Sequence, residues 1–372
     1  MKYSTHPSNG EKPLFEEEKV QKKRDRFLSI PLLFSLFSAL FCVVIVLGVS
    51  FGSTPLSPII IFQILLNGTH VFHFPQHWNA TVETIIWDYR LPTVVCAALV
   101  GAALSVAGVL FQGLLRNPLA DPYLLGTSSG AALGASIAFL LPLETFYGAF
   151  FPLTPLLAFV GAMGAVMFVY GITRTNGQTP TVSLILAGVV INAVLIALQS
   201  LLLTLSPHTP FLTQALFNWL SGGIVLLSWP PIFTVGSIIV GTIVLSLGCA
   251  RVLDIFALGE ESATYLGIHV EQSKLLIVVV GSLLTAAAVS ISGLVGFVGL
   301  VTPHMMRLWL GPNHRVLLPA SAVSGAIFLI LADLIARLAF APTVLPVGIV
   351  TALVGAPFFF FLLKKSKREY QW

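Results

Sequence analysis

Hydrophobic residues fall along this chain in long unbroken runs, separated by short clusters of proline, glycine and charge. The runs cover about 30–50, 92–114, 122–141, 153–173, 182–204, 229–250, 272–291, 294–310, 317–338 and 346–363. About twenty apolar residues is the length of an α-helix that crosses a hydrocarbon layer some 30 Å thick. The pattern predicts an all-α membrane protein with about ten transmembrane helices. Residues 294–310 form the shortest run and carry Pro303-His304 inside it.

The basic residues give the orientation. With the N-terminus inside and ten alternating spans, 17 of the 19 Lys and Arg residues lie on the cytoplasmic side, and Arg90 and Arg337 alone lie outside. That asymmetry is what the positive-inside rule requires, and adding or removing one span scrambles it. Both termini are therefore expected in the cytoplasm. Composition agrees: of 372 residues 56% are hydrophobic and 9% charged, against about 25% charged in a soluble domain. A water-facing surface for the whole chain is excluded. The net charge of +4 reflects topology rather than affinity for nucleic acid. Residues 1–29 read as a polar cytoplasmic tail ending in Lys22-Lys23-Arg24-Asp25-Arg26, and residues 366–372 as a second tail. The run after the first tail lacks a small-residue cleavage site, so it is read as a span and not a signal peptide. The membrane domain is then 30–365. Cys42, Cys96 and Cys249 each lie in an apolar run, which argues for packed thiols over a disulfide framework or a metal site.

Three connections are longer than a turn. Residues 51–91 form an outer loop with His70, His73 and His77. Their spacing permits a metal or haem reading, but Gly68, Pro75 and Asn79 favour a plain loop without a ligand set. Residues 206–228 form a second outer stretch, in which Thr209-Pro210 signals the start of a short helix over 211–220 lying along the membrane surface. Residues 251–271 form a cytoplasmic connection whose pattern predicts two short helices. Gly259 allows a sharp turn, and Glu260 and Glu261 suit the N-terminus of the second helix.

No Lys follows a Gly, so the phosphate-cradling loop of an ATPase is absent. Asp333 is the clear intramembrane acid, and it stands four residues before Arg337, where an ion pair offsets the cost of its burial. Spans this bare of ionisable groups favour energy supplied by another protein over a proton-coupled secondary transporter, which remains the alternative. In the first case the 251–271 connection is a rigid knob fitting a cleft on a separate ATPase; in the second it is an ordinary amphipathic connector.

Several blocks resemble the membrane permeases of ABC importers for iron-siderophore, haem and cobalamin, the FecCD-type family. They are Arg90-Leu91-Pro92, GAALSVAGVLFQGLLRNPLADPYLLGTSSGAALGA (101–135), FALGEESATYLGI (256–268), SGLVGFVGLVTPHMMRLWLGPNHR (292–315), LADLIAR (331–337) and LPVGIVTALVGAPFFFFLL (345–363). They occur in the family's order over about three quarters of the chain. The resemblance implies a type II ABC importer permease, not itself an enzyme and without a cofactor of its own. It implies a homodimer of this chain, two ATPase subunits binding ATP and Mg at the cytoplasmic face, a periplasmic or lipid-anchored substrate-binding protein outside, and an iron-chelate cargo, with haem or cobalamin as alternatives. The resemblance also implies site residues. Asp254, Leu258, Gly259, Glu260, Glu261, Ala263, Leu266 and Gly267 belong to the element coupled to the ATPase. Asn117, Leu119, Thr181 and Val182 close the cytoplasmic end of the pathway, and Asn192 and Gln199 line it. Arg90 and Arg337 dock the binding protein, although Thr93 and Val344 stand where the family has a second arginine and a glutamate.

Overall fold

The computed structural model describes residues 32–52, 56–68, 74–76, 78–141, 153–206, 210–224 and 228–369. Among the described residues fifteen α-helices follow one another: α1 Leu32–Ser50, then α2 Pro58–Gly68, α3 Ala80–Thr84, α4 Leu91–Leu114, α5 Thr127–Leu140, α6 Leu153–Thr173, α7 Thr181–Leu205, α8 Pro210–Leu220, α9 Trp229–Gly248, α10 Ala250–Phe256, α11 Glu260–Tyr265, α12 Val270–Ser292, α13 Val298–Leu310, α14 His314–Leu338 and α15 Val347–Glu369. Each of the ten predicted spans has its helix. Seven are long and apolar enough to cross a membrane unaided, while α5, α13 and the apolar part of α15 are shorter.

A single helix, α4, organises the bundle. It packs against α14, α12, α13 and α9, while α5 pairs with α6 and α7. The small residues of GAALSVAG explain why. A β-carbon on Gly101 would collide with the carbonyl of Gly325 on α14, and one on Gly108 with the carbonyl of Gly299 on α13. Where lipid supplies no hydrophobic drive between helices, close backbone approach and dispersion hold them together. Pro303 sits within α13 without ending it, as neighbouring helices permit.

The outer segment 51–91 is not simply a loop. Besides α2, residues Ile85–Arg90 form a π-helical turn that joins α3 to α4. The result is one helix of 35 residues, Ala80–Leu114, about 52 Å long at 1.5 Å per residue. Glu83, Asp88 and Arg90 interrupt the apolar run without breaking the backbone, and Pro92 falls directly after the π-helical turn. His70, His73 and His77 lie outside the described residues, as do the tail 1–29 and residues 370–372.

The predicted short outer helix is α8. It buries Leu216 and Trp219 while exposing Phe217, an amphipathic helix laid on the bundle.

Candidate functional site

The inner face is built from α10, α11 and the chain segments beside them. Positive φ at Gly259, 107°, turns α10 into α11, and Gly267, φ 81°, turns the chain out again. This compact knob is anchored at two points. Asp254 on α10 accepts the backbone N–H of His314 at 3.0 Å and contacts its Nδ1 at 2.6 Å, which ties the knob to the start of α14. Glu260 on α11 pairs with Lys274 Nζ at 2.7 Å and accepts the Thr181 hydroxyl at 3.2 Å, which ties it to α12 and α7.

The residues implied for coupling divide by direction. Leu258, Glu261, Leu266 and Gly267 face outward, together with Tyr265 at 90% exposure. Ala263 does not: it is fully buried within its own chain, so it packs the knob and offers nothing to a partner. Lys274 was missed by sequence reasoning, which counted it as one more cytoplasmic charge. The signal was there in Glu271 three residues earlier, a spacing that pairs charges on a helix.

Of the residues implied for the cytoplasmic gate, Thr181 starts α7 and Val182 is exposed beside it. Asn117 and Leu119 lie in the turn after α4, where the Asn117 side chain accepts the backbone N–H of Leu119 at 2.9 Å. In the same turn Asp121 accepts the N–H of Tyr123 at 2.8 Å; burial pushes its carboxyl above the ordinary range while that bond pulls it down. Hydrogen bonds join Thr181 to the knob and leave Asn117 in a local turn, so the two halves of this group are not linked to each other.

Asn192 and Gln199, expected to line the pathway, each hold a partner on the adjacent helix. Asn192 accepts the hydroxyl of Ser129 at 2.6 Å, and Gln199 donates to the hydroxyl of Ser136 at 3.0 Å. Both point from α7 to α5. A polar side chain inside a membrane takes a partner on the adjacent helix wherever one is offered.

At the outer face the two arginines stand together, but not as free rim charges. Arg90 is 6% exposed and donates to the carbonyls of Val49 and Ser50 at 2.9 and 2.8 Å. Arg337 pairs with Asp333 at 2.7 Å and donates to the carbonyl of Gly48 at 3.1 Å. Two guanidiniums thus cover the carbonyls at the C-terminal end of α1, where the helix dipole favours positive charge. They border a recess of about 790 Å³ whose walls include Tyr89, Phe139, Asn218 and Trp219. Docking of a partner through Arg90 would require giving up these internal bonds, a requirement that sequence alone did not reveal. Among the described residues no three His, Cys, Asp or Glu side chains come together as a metal site.

Comparison with known proteins places this architecture. The sequence pattern of the FecCD transport family matches residues 40–365. The chain is 44% identical to the cobalamin import system permease protein BtuC of Halobacterium salinarum over 76% of this chain and 74% of that one. It is 38% identical to the Fe(3+) dicitrate transport system permease protein FecD of Escherichia coli (strain K12) over 78% of this chain and 89% of the other. A solved structure described as a metal-chelate type ABC transporter in an inward-facing conformation superposes with a TM-score of 0.77 at 28% identity, covering 90% of this chain and 99% of its counterpart. A multi-pass helical bundle with this sequence pattern through nearly its whole length is a membrane transport permease: the chain belongs to the FecCD transport family.

Proposed function

We propose that two copies of this chain form the membrane pathway of an ATP-driven importer for a metal chelate, with a ferric siderophore as the leading cargo. ATP and Mg bind to two separate ATPase subunits inside, and a substrate-binding protein delivers cargo outside. The observation that carries the reading is the knob. It presents Leu258, Tyr265 and Leu266 to the cytoplasmic side, beyond the apolar part of the bundle, where exposed large apolar groups mark a protein contact. Its two polar anchors, Asp254 to His314 and Glu260 to Lys274, make it stiff enough to pass on a push.

The pairing of two copies is supported by α7. Only 11% of its most apolar stretch is buried, against 78% for α4, so most of its circumference is left for lipid, a second copy or the pathway between them. On the outer face the recess beside Asp333 and Arg337 is the natural seat for the binding protein, with Arg337 the better placed of the two arginines because it is only partly buried and Arg90 is buried. Similarity to both cobalamin and ferric-citrate permeases fits a metal chelate as the cargo class.

The test is uptake into vesicles containing this chain, its ATPase and its binding protein, offered ferric citrate, a ferric hydroxamate, haem and cobalamin in turn. ATP-dependent accumulation of one iron chelate is expected. Replacing residues 254–267 with a flexible linker of equal length, in a protein that still folds, should abolish it. Uptake that persists without ATP and collapses when the proton gradient is dissipated would instead establish a secondary transporter.

A further inference from the structure

The buried ammonium of Lys274 joins three separate pieces of the inner face. It is 2% exposed, and its three donors meet three acceptors: Glu260 at 2.7 Å, Glu271 at 3.2 Å and the carbonyl of Thr179 at 3.1 Å. Each carboxylate then uses its other oxygen on the same short segment. Glu271 accepts the backbone N–H of Thr179 at 2.9 Å, and Glu260 accepts the hydroxyl of Thr181 at 3.2 Å. The knob, the start of α12 and the chain entering α7 are thus tied by one cation and two anions.

The segment is itself braced. Thr175 and Gln178 exchange backbone hydrogen bonds of 2.9 and 3.0 Å around Asn176 and Gly177, both with positive φ, the chemistry of a tight hairpin turn. Only Pro180 separates Thr179 from Thr181, the first residue of α7, so there is no slack loop between them. The other anchor, Asp254 to His314, leads to α14, which packs closely on α4. Of the knob's two attachments, one leads through α14 to the deeply buried α4 and the other reaches α7, the least buried of the seven long spans.

We infer that Lys274 is a positioning residue for coupling: it holds Glu260 against Thr181 so that movement of the knob is delivered to the inner end of α7. The inference rests on the knob being the ATPase contact proposed above. Without the ammonium, two carboxylates face each other with no counter-charge, which costs more than an isolated lost bond. They separate, and α11 loses its hold on α7.

The experiment compares Lys274→Met and Thr181→Val with the parent chain in vesicles carrying the full complex, using as probe the chelate that the parent complex transports. The readout is cargo moved per ATP hydrolysed, together with the amount of ATPase that copurifies. Partial misfolding lowers uptake and hydrolysis alike and leaves their ratio in place; loss of coupling lowers the ratio. A roughly ten-fold fall in the ratio is expected for Lys274→Met, in line with a lost charged hydrogen bond, and a smaller fall for Thr181→Val, with copurified ATPase unchanged. Thr181→Val keeps every charge and the side-chain shape, so it reports even where the lysine variant does not fold. An unchanged ratio in Thr181→Val, or in a folded Lys274→Met, overturns the inference while the importer reading stands. A parent complex that binds no ATPase, or takes up cargo without ATP, overturns the importer reading itself.

Discussion

Buried cations stand at both ends of this bundle, and they are used differently. At the outer end Arg337 pairs with Asp333 four residues earlier on its own helix, and Arg337 and Arg90 together cover the carbonyls that end α1. At the inner end Lys274 gathers one acid from its own helix, one from α11 and a carbonyl from the chain before α7. The outer group closes on long helices held by the core and acts as a lock. The inner group ties a short helix and a loop segment to the long α12, so its charge joins pieces that come from three different parts of the chain. The same ion chemistry gives stability where its partners are already fixed and mechanical linkage where they are not.

The comparison can be broken most directly at Arg337. Changing it to Ala leaves the Asp333 carboxylate buried without its counter-charge, and removal of one partner of a buried pair costs about 3–5 kcal/mol. The thermal midpoint of the detergent-purified permease should fall accordingly; no fall would mean that the outer group is not a lock. Arg90→Met should cost less, about 1.5–3 kcal/mol for bonds from a charged donor, and should free the end of α1 for protease cleavage near residue 52. Cleavage unchanged from the parent would show that Arg337 alone holds that end. The smallest effect is expected between the two ends. Gln199→Leu removes one bond to Ser136 and should cost about 0.6 kcal/mol, the average for such bonds between membrane helices. A loss as large as that of Arg337→Ala would place the decisive polar contacts in the middle of the bundle.

The spans and the knob were legible in the sequence because each rests on local pattern: apolar run length, and a Gly followed by two Glu. The outer helix α3 was not, since charged residues interrupt its hydrophobicity without disturbing its backbone. Side-chain direction was the other gap. Asn192 and Gln199 are polar residues in an apolar span, which flags them, but whether they face a pathway or α5 depends on which helix lies alongside. Arg90 read as an exposed cation because the carbonyls it serves are about forty residues earlier in the chain. Glu260, Lys274 and Thr181 come from three segments, and only the fold shows that they form one group.

The two bonds between α5 and α7 have a mechanical consequence. Ser129 and Ser136 are seven residues apart, as are Asn192 and Gln199, so the helices are bolted at points about 10.5 Å apart. Sliding one past the other by a single turn would miss both bolts at once. The two bonds therefore favour movement of the pair as one plank over slippage along this seam.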